Sequence, residues 1–292
     1  MTLLRVMTFI SLRLGRPAGR VVLHCIAAYF FLFAPTARRH MRSYLRRALE
    51  REPSAVDRYR LVLSFATTIH DRLYLISDRY DLFDISLAGA EAVAARFPPG
   101  EGAFLLGAHI GSFEVARALG RRQPGLRVAM AMYRDNARKI NAMLAAVDPE
   151  LVLDIIPLGS IDSMLELHAR IEAGAFVGML GDRSIGVERF ERVQFLGAPA
   201  SFPTSAMRVA ATLRRPVIFM AGLYRGGNRY HIVFEDLADF SSTTAAGRDE
   251  AVRIAVHRYA AALERYCRSD PYNWFNFFDF WQEPGAARER LE

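Results

Sequence analysis

The sequence predicts an α/β protein in which helices cover a mostly parallel sheet, with a helical extension at the N-terminus. A composition of 52% hydrophobic and 24% charged residues is typical of a folded chain. After Pro98-Pro-Gly100, short apolar runs alternate with stretches of helical periodicity. Such alternation indicates parallel strands connected by helices, and sites in these sheets gather at the carboxyl ends of the strands.

The individual elements follow from this alternation. Apolar residues from about Arg38 to Leu87 recur at helical spacing, which predicts a helical approach to the sheet. Because no linker or repeat divides the chain, we expect a helical region at 1–87 and one domain at 88–292. The predicted strands are Gly102–Gly107, Arg127–Met132, Leu153–Pro157, Ala175–Leu180, Val217–Leu223 and Tyr230–Glu235. The predicted helices are Phe113–Leu119, Ala137–Val147, Ser163–Glu172, Thr204–Leu213 and Arg248–Arg268.

The first 51 residues carry the basic charge of the chain. They contain ten arginines and one acid, Glu50, which leaves 28 basic against 30 acidic residues elsewhere. An uncharged run of 14 residues, Val21–Ala34, is shorter than the roughly 20 apolar residues that a spanning helix needs. Apolar runs flanked by arginine favour a helix that lies in the surface of an anionic membrane. We expect this helix to be kept in the mature protein rather than cleaved as a signal peptide. A buried core helix beside a solvated basic face is the alternative.

An aromatic segment, Pro271–Trp281, follows the last predicted helix and holds both tryptophans of the chain. At helical spacing, Trp274, Phe277, Phe278 and Trp281 share one face. We interpret this face as core packing, with a lipid-facing or tunnel-lining role as the alternative.

Several protein classes are disfavoured by residues that the sequence lacks. The single lysine, Lys139, is not part of a Gly-x-x-x-x-Gly-Lys motif, which excludes a P-loop. The sequence also lacks the Gly-x-Ser-x-Gly motif that would indicate a serine hydrolase. Two cysteines, Cys25 and Cys267, are too few for a disulfide framework or a cysteine metal site. The nearly neutral body of the chain disfavours nucleic acid as a partner.

The strongest candidate site is the turn His109-Ile-Gly-Ser-Phe-Glu114. Positions five apart on one helix diverge by about 140°, so His109 and Glu114 can meet only if His109 lies on the turn before the helix. A first-turn Glu can then hold the imidazole tautomer whose second nitrogen accepts a proton, although Glu also occurs there for helix stability alone. Such a pair can deprotonate a hydroxyl for attack on an acyl thioester. Backbone N–H groups of Ile110 and Gly111 are the candidate oxyanion donors.

Gly107-Ala-His-Ile-Gly-Ser-Phe-Glu114 resembles the His-x-x-x-x-Asp/Glu block of the lysophospholipid acyltransferase superfamily. The resemblance is to the branch of the late acyltransferases of lipid A biosynthesis. Three further blocks fit that branch in order, namely Met132–Asn136, Gly181–Gly186 and Val193–Ser205. The basic, apolar N-terminus is also typical of the branch, so the resemblance covers nearly the whole chain.

The resemblance implies an acyltransferase catalytic domain with His109 as general base and Glu114 as its partner. Arg134, Asp182 and Arg183 stand where the family shapes or binds substrate. The implied reaction moves a fatty acyl group from acyl carrier protein or coenzyme A to a hydroxyl of a membrane lipid or glycolipid. It takes place at the cytoplasmic face of the inner membrane, with the enzyme peripheral or monotopic, and uses no metal or prosthetic group.

The chain departs from the lipid A enzymes at three places. Ser184 stands where they have a second Asp, and Ser205 replaces a Gly that follows Pro-Thr. The aromatic ending is similar instead to relatives encoded beside polyene or pigment biosynthesis genes. These departures concern the acceptor rather than the reaction. Two other functions stay open, an acyl-thioester hydrolase and a non-catalytic protein that binds a membrane surface or nucleic acid.

Overall fold

The computed structural model describes residues 2–97, 100–122, 127–133, 155–183 and 189–282. The helices within these ranges are α1 (Thr2–Phe33), α2 (Pro35–Leu49), α3 (Ala55–Ile76), α4 (Ala90–Arg96), α5 (Phe113–Arg122), α6 (Ile161–Glu172), α7 (Ser205–Thr212) and α8 (Arg248–Ser269). The strands are β1 (Asp84–Ala88), β2 (Phe104–Gly107), β3 (Val128–Tyr133), β4 (Ile155–Leu158), β5 (Phe176–Leu180), β6 (Phe190–Phe195), β7 (Ala198–Pro203), β8 (Val217–Tyr224) and β9 (Arg229–Ala238).

Seven of these strands form one sheet in the order β1-β9-β8-β2-β5-β3-β4. Every neighbouring pair is parallel except β8 and β9, which are antiparallel. β2 lies at the centre, and its side chains are buried because the sheet is covered on both faces. The predicted α/β class with a mostly parallel sheet is confirmed, and each of the six predicted strands corresponds to a strand of this sheet.

The structure corrects two of the sequence-based predictions, adds one hairpin and does not describe one predicted helix. The helical approach does not continue to residue 87, because α3 ends at Ile76 and β1 pairs with β9 at the edge of the sheet. The aromatic segment after α8 is irregular rather than helical. The antiparallel hairpin of β6 and β7 was not predicted, and the helix predicted at Ala137–Val147 lies outside the described residues.

A buried ion pair attaches α1 to the rest of the protein. Helix α1 is interrupted at Gly15, where φ is 80°, and the next residue, Arg16, donates two hydrogen bonds of 2.7 Å to the carboxylate of Asp71. The Tyr230 hydroxyl donates to the same buried carboxylate at 2.8 Å. Burial raises the pKa of Asp71, but the hydrogen bonds from Arg16, His70 and Tyr230 and the charge of Arg16 together outweigh burial and lower it. Asp71 therefore stays ionised beside Arg16. The second part of α1 is therefore fixed to the sheet.

The N-terminal helices leave a group of large apolar side chains exposed. Among the residues of α1 whose burial is described, the exposed large apolar side chains are Val21, Tyr29, Phe30, Leu32 and Phe33. The chain then bends by 95° between Gly15–Phe33 and the basic helix Pro35–Leu49. Within the described residues, no single helix is long and apolar enough to cross a membrane, although this bent pair passes that test when taken together.

Candidate active site

Two neighbouring parallel strands deliver the central side chains of the site. β2 and β5 pair in a register that sets Gly107 opposite Leu180, and Gly181 N–H donates to the Gly107 carbonyl at 3.0 Å. His109 and Asp182 each follow the end of their strand by two residues, so the same register brings them face to face. Both lie at the carboxyl edge of the sheet, where α/β proteins build their sites.

Asp182 binds His109 through both of its carboxylate oxygens. Oδ1 lies 2.8 Å from Nδ1 of the His109 ring, and Oδ2 accepts the backbone N–H of His109 at 3.0 Å. The Asp182 side chain is 1% exposed, whereas that of His109 is 34% exposed. The imidazole therefore has one nitrogen bound to a buried carboxylate, while part of the side chain is exposed.

Asp182 is ionised at neutral pH. Burial raises the pKa of its carboxyl group, but the charge and hydrogen bonds of His109 and the charge of Arg183 lower it to about 2. An ionised carboxylate can only accept hydrogen bonds, so Nδ1 of His109 is the donor and carries a proton. Nε2 of the neutral ring is then left as the basic nitrogen.

Glu114 does not occupy the place that the sequence predicted for it. It lies in the first turn of α5, where its carboxylate accepts a hydrogen bond of 2.9 Å from Arg117 Nε and lies 3.7 Å from Arg72 Nε. Its side chain is buried together with that of Arg117. The carboxylate that contacts His109 is Asp182, because strand pairing brings residues from β2 and β5 together whereas Glu114 points toward α3.

The two candidate oxyanion donors differ in their availability. Gly111 N–H donates to the Asn273 carbonyl at 2.8 Å, so the predicted oxyanion role of Gly111 is corrected. Gly111 instead allows a close approach of the chain, because its φ is 61° and a Cβ there would lie 1.9 Å from the Gly222 carbonyl oxygen. Ile110 is left as the candidate donor in this turn.

Of the two predicted substrate-binding arginines, the structure describes only Arg183. Arg183 lies beside the site, donates to the Phe275 carbonyl at 2.6 Å and stacks on the ring of Phe278 at 5.0 Å. Its Nε is buried and has no hydrogen-bond partner among the described residues. Burial lowers the pKa of Arg183, and Asp182 acts against this shift. Arg134 lies outside the described residues.

The aromatic segment after α8 supplies contacts that the sequence did not reveal. The indole N–H of Trp274 donates to Oδ2 of Asp182 at 3.0 Å, and Phe275 N–H donates to the His109 carbonyl at 2.8 Å. The interpretation of this segment as core packing agrees with the burial of Trp274 and Phe280, although Phe278 is exposed. The composition and spacing of the sequence did not predict the contact between Trp274 and Asp182.

A family model for bacterial lipid A biosynthesis acyltransferases matches residues 3–283. The chain belongs to this family. The match includes both strand ends that carry His109 and Asp182, as well as the N-terminal helices and the aromatic segment. Membership supports an acyltransferase of the lipid A type, with an acyl donor and a lipid acceptor. No match was found among the curated proteins, and the relation to pigment-cluster enzymes stays a prediction.

The described residues contain no group of three or more His, Cys, Asp or Glu side chains placed to hold a metal ion.

Proposed function

We propose that this protein transfers a fatty acyl group from a thioester, carried by acyl carrier protein or coenzyme A, to a hydroxyl of a membrane lipid or glycolipid. The contact between His109 Nδ1 and Asp182 Oδ1 is the observation that carries the proposal. It provides an accessible imidazole whose tautomer is set by a buried carboxylate, in a chain of an acyltransferase family.

The proposed reaction uses His109 first as a base and then as an acid. Nε2 accepts the proton of the acceptor hydroxyl. As the proton leaves, the hydroxyl oxygen attacks the thioester carbonyl and forms a tetrahedral intermediate. The Ile110 N–H and the helix start at α5 are the proposed stabilisers of the oxyanion. When the carbon–sulfur bond breaks, the ester forms and the leaving thiolate takes the proton from His109. Asp182 stays ionised and supports the imidazolium.

The roles of the other charged residues follow from their contacts. We assign Asp182 the orienting role that the sequence suggested for Glu114, since Asp182 contacts the imidazole. Glu114 offsets the charges of Arg117 and Arg72. Arg183 is proposed to bind an anionic group of a substrate, because its buried Nε has no acceptor among the residues that the structure describes.

A transfer assay with mass identification of the product tests the reaction. The full chain is incubated with acyl carrier protein or coenzyme A carrying a labelled acyl group, in the presence of total lipid extract. We expect labelled lipid ester to form and to require added lipid. Release of free fatty acid at the same rate without lipid would instead identify a thioester hydrolase. Absence of both, with salt-sensitive binding to vesicles or nucleic acid, would favour a non-catalytic protein.

We further propose that the exposed apolar end of α1 inserts into the inner membrane from its cytoplasmic face. Phe33 is 70% exposed, Tyr29 60% and Phe30 56%, at the point where the chain bends into α2. Helix α2 carries Arg38, Arg39, Arg42, Arg46 and Arg47, and contains no acid. An aromatic tip beside a basic helix matches the boundary between acyl chains and anionic head groups.

Vesicle flotation tests this membrane attachment. The variant Phe30→Ser/Phe33→Ser is expected to bind vesicles containing phosphatidylglycerol about tenfold more weakly or worse, because two large apolar side chains no longer leave water. The matched control is Val56→Ser/Leu165→Ser, which changes two exposed apolar residues elsewhere. The control is expected to bind like the original chain, and equal binding by both variants would contradict the proposed surface.

A further inference from the structure

The aromatic segment after α8 is hydrogen-bonded to the backbone of the turn that carries His109. Gly111 N–H donates to the Asn273 carbonyl at 2.8 Å, and Phe275 N–H donates to the His109 carbonyl at 2.8 Å. Between these bonds, Ile110 lies opposite Trp274 in a short antiparallel bridge. A segment from the far end of the chain therefore holds both sides of the turn.

Trp274 adds a side-chain contact to this backbone pairing. Its indole N–H donates to Oδ2 of Asp182 at 3.0 Å, and both side chains are almost completely shielded from solvent. Oδ2 also accepts the backbone N–H of His109 at 3.0 Å, whereas Oδ1 lies 2.8 Å from His109 Nδ1. The two carboxylate oxygens thus have separate partners.

This separation has a consequence for the orientation of the carboxylate. The terminal torsion of an aspartate is broad and nearly two-fold, so it is weakly fixed unless donors select one orientation. Two donors that converge on Oδ2 keep Oδ1 directed at His109. The indole is itself held by the rings of Tyr44, Phe195 and Phe280, at centroid distances of 4.9, 5.4 and 4.9 Å. It therefore connects Asp182 to the hydrophobic core independently of the turn.

We propose that Trp274 is a positioning residue, whose indole N–H holds Oδ2 of Asp182 so that Oδ1 keeps Nδ1 of His109 protonated. Nε2 of His109 is then available as the base. The inference deepens the proposed acyl transfer and rests on it for its kinetic consequence. The contact and the tautomer can be measured without any activity.

The two tryptophans of the chain provide a matched pair of substitutions. Trp274→Phe keeps an aromatic ring and removes the indole N–H that reaches Asp182. Trp281→Phe is the control, because Trp281 packs against the same ring of Phe195 but its Nε1–H donates to the Phe195 carbonyl at 3.2 Å. Both variants lose a hydrogen bond and some ring area, and only the first loses a contact with the site.

The kinetic test measures kcat and KM for acyl transfer. We expect Trp274→Phe to lower kcat about tenfold, the size expected for a lost hydrogen bond to a charged group, with KM within about twofold. Trp281→Phe is expected to stay within about twofold in both constants. In an Asp182→Asn background, Trp274→Phe is expected to add less than about twofold, because the group on which it acts has already been changed.

Nuclear magnetic resonance provides the readout that needs no activity. With two tryptophans, the ¹⁵N-labelled chain has two indole N–H signals. Asp182→Asn is expected to move the signal that Trp274→Phe removes and to leave the other unchanged. The ring ¹⁵N signals of His109 are expected to report the Nδ1–H tautomer in the original chain and in Trp281→Phe, and a mixture of tautomers in Trp274→Phe.

These outcomes separate the inference from the proposed function. If the original chain transferred no acyl group but the indole and ring signals behaved as expected, the function would fail while the positioning role stood. If transfer occurred but Trp274→Phe kept the kcat of Trp281→Phe, or an unchanged His109 tautomer, the positioning role would be overturned and the function would stand.

Discussion

Replacing His109 by Ala is expected to reduce acyl transfer to background, a loss of about a thousandfold or more. The reason is that Nε2 of His109 is the proposed acceptor of the hydroxyl proton, and general base catalysis supplies rate factors of this size. The His109 side chain is partly exposed, so its removal leaves no large cavity in the core. The protein is therefore expected to fold and to bind membranes as before.

Transfer of the acyl group from the labelled donor into lipid extract measures this loss. Circular dichroism and thermal unfolding test whether the variant is folded. His257→Ala is the matched control, since His257 also lies beside a carboxylate, that of Glu191 at 3.1 Å, but on the face formed by α8 and β6. We expect the control to retain activity within about twofold. Normal transfer by a folded His109→Ala protein would show that His109 is not the base.

Replacing Asp182 by Asn is expected to lower kcat by on the order of a thousandfold to ten thousandfold, with the fold retained. Two N–H donors converge on Oδ2, so the oxygen of the new amide is expected to take that position. The NH₂ group then faces Nδ1 of His109 and donates to it. This arrangement stabilises the tautomer with the proton on Nε2, which can no longer act as a base.

The comparison with Glu191→Gln controls for the loss of a carboxylate beside a histidine, and that variant is expected to keep kcat within about twofold. A large loss with Glu114→Gln and none with Asp182→Asn would contradict the assignment and would restore the pairing expected from the sequence. The tautomer of His109, read from ¹⁵N spectra, provides a second measurement on the same proteins.

Asp182→Asn is also expected to change the stability of the protein in acid. The pKa of Asp182 is about 2 in the folded state, below its usual value of 3.8. A depressed carboxyl pKa contributes stability that is complete above about pH 4 and is lost as the pH falls toward about 2, here about 2 kcal/mol. Acid unfolding of the Asn variant is expected to lack this part of the pH dependence.

The sequence was sufficient to predict His109 as a candidate base and to place the candidate site at the carboxyl edge of the sheet. Short apolar runs bounded by glycine predicted both β2 and β5, because buried parallel strands are continuous apolar runs. A polar residue just past a strand end is then placed at the carboxyl edge of the sheet. Both His109 and Asp182 satisfied this criterion, and the family resemblance had already included Asp182 among the substrate-shaping residues.

In the structure, His109 contacts Asp182 rather than Glu114, the partner expected from the sequence, for a specific physical reason. Glu114 is close in sequence, and the helical arithmetic allowed a contact from the first turn of α5. Which strands are neighbours depends on the order of the whole sheet, which local periodicity does not contain. Once β5 lies beside β2, the register brings Asp182 opposite His109, while the buried Arg117 and the partly buried Arg72 pair with Glu114.

By itself, the sequence determined the α/β class, the basic apolar N-terminus and the candidate base His109, because hydrophobic periodicity, charge distribution and strand-end position are local properties of a chain. The tertiary structure alone decided that Asp182 orients toward His109 and that Trp274 reaches Asp182 from the far end of the chain. Contacts between residues distant in sequence are set by strand order and core packing, and these are properties of the folded chain as a whole.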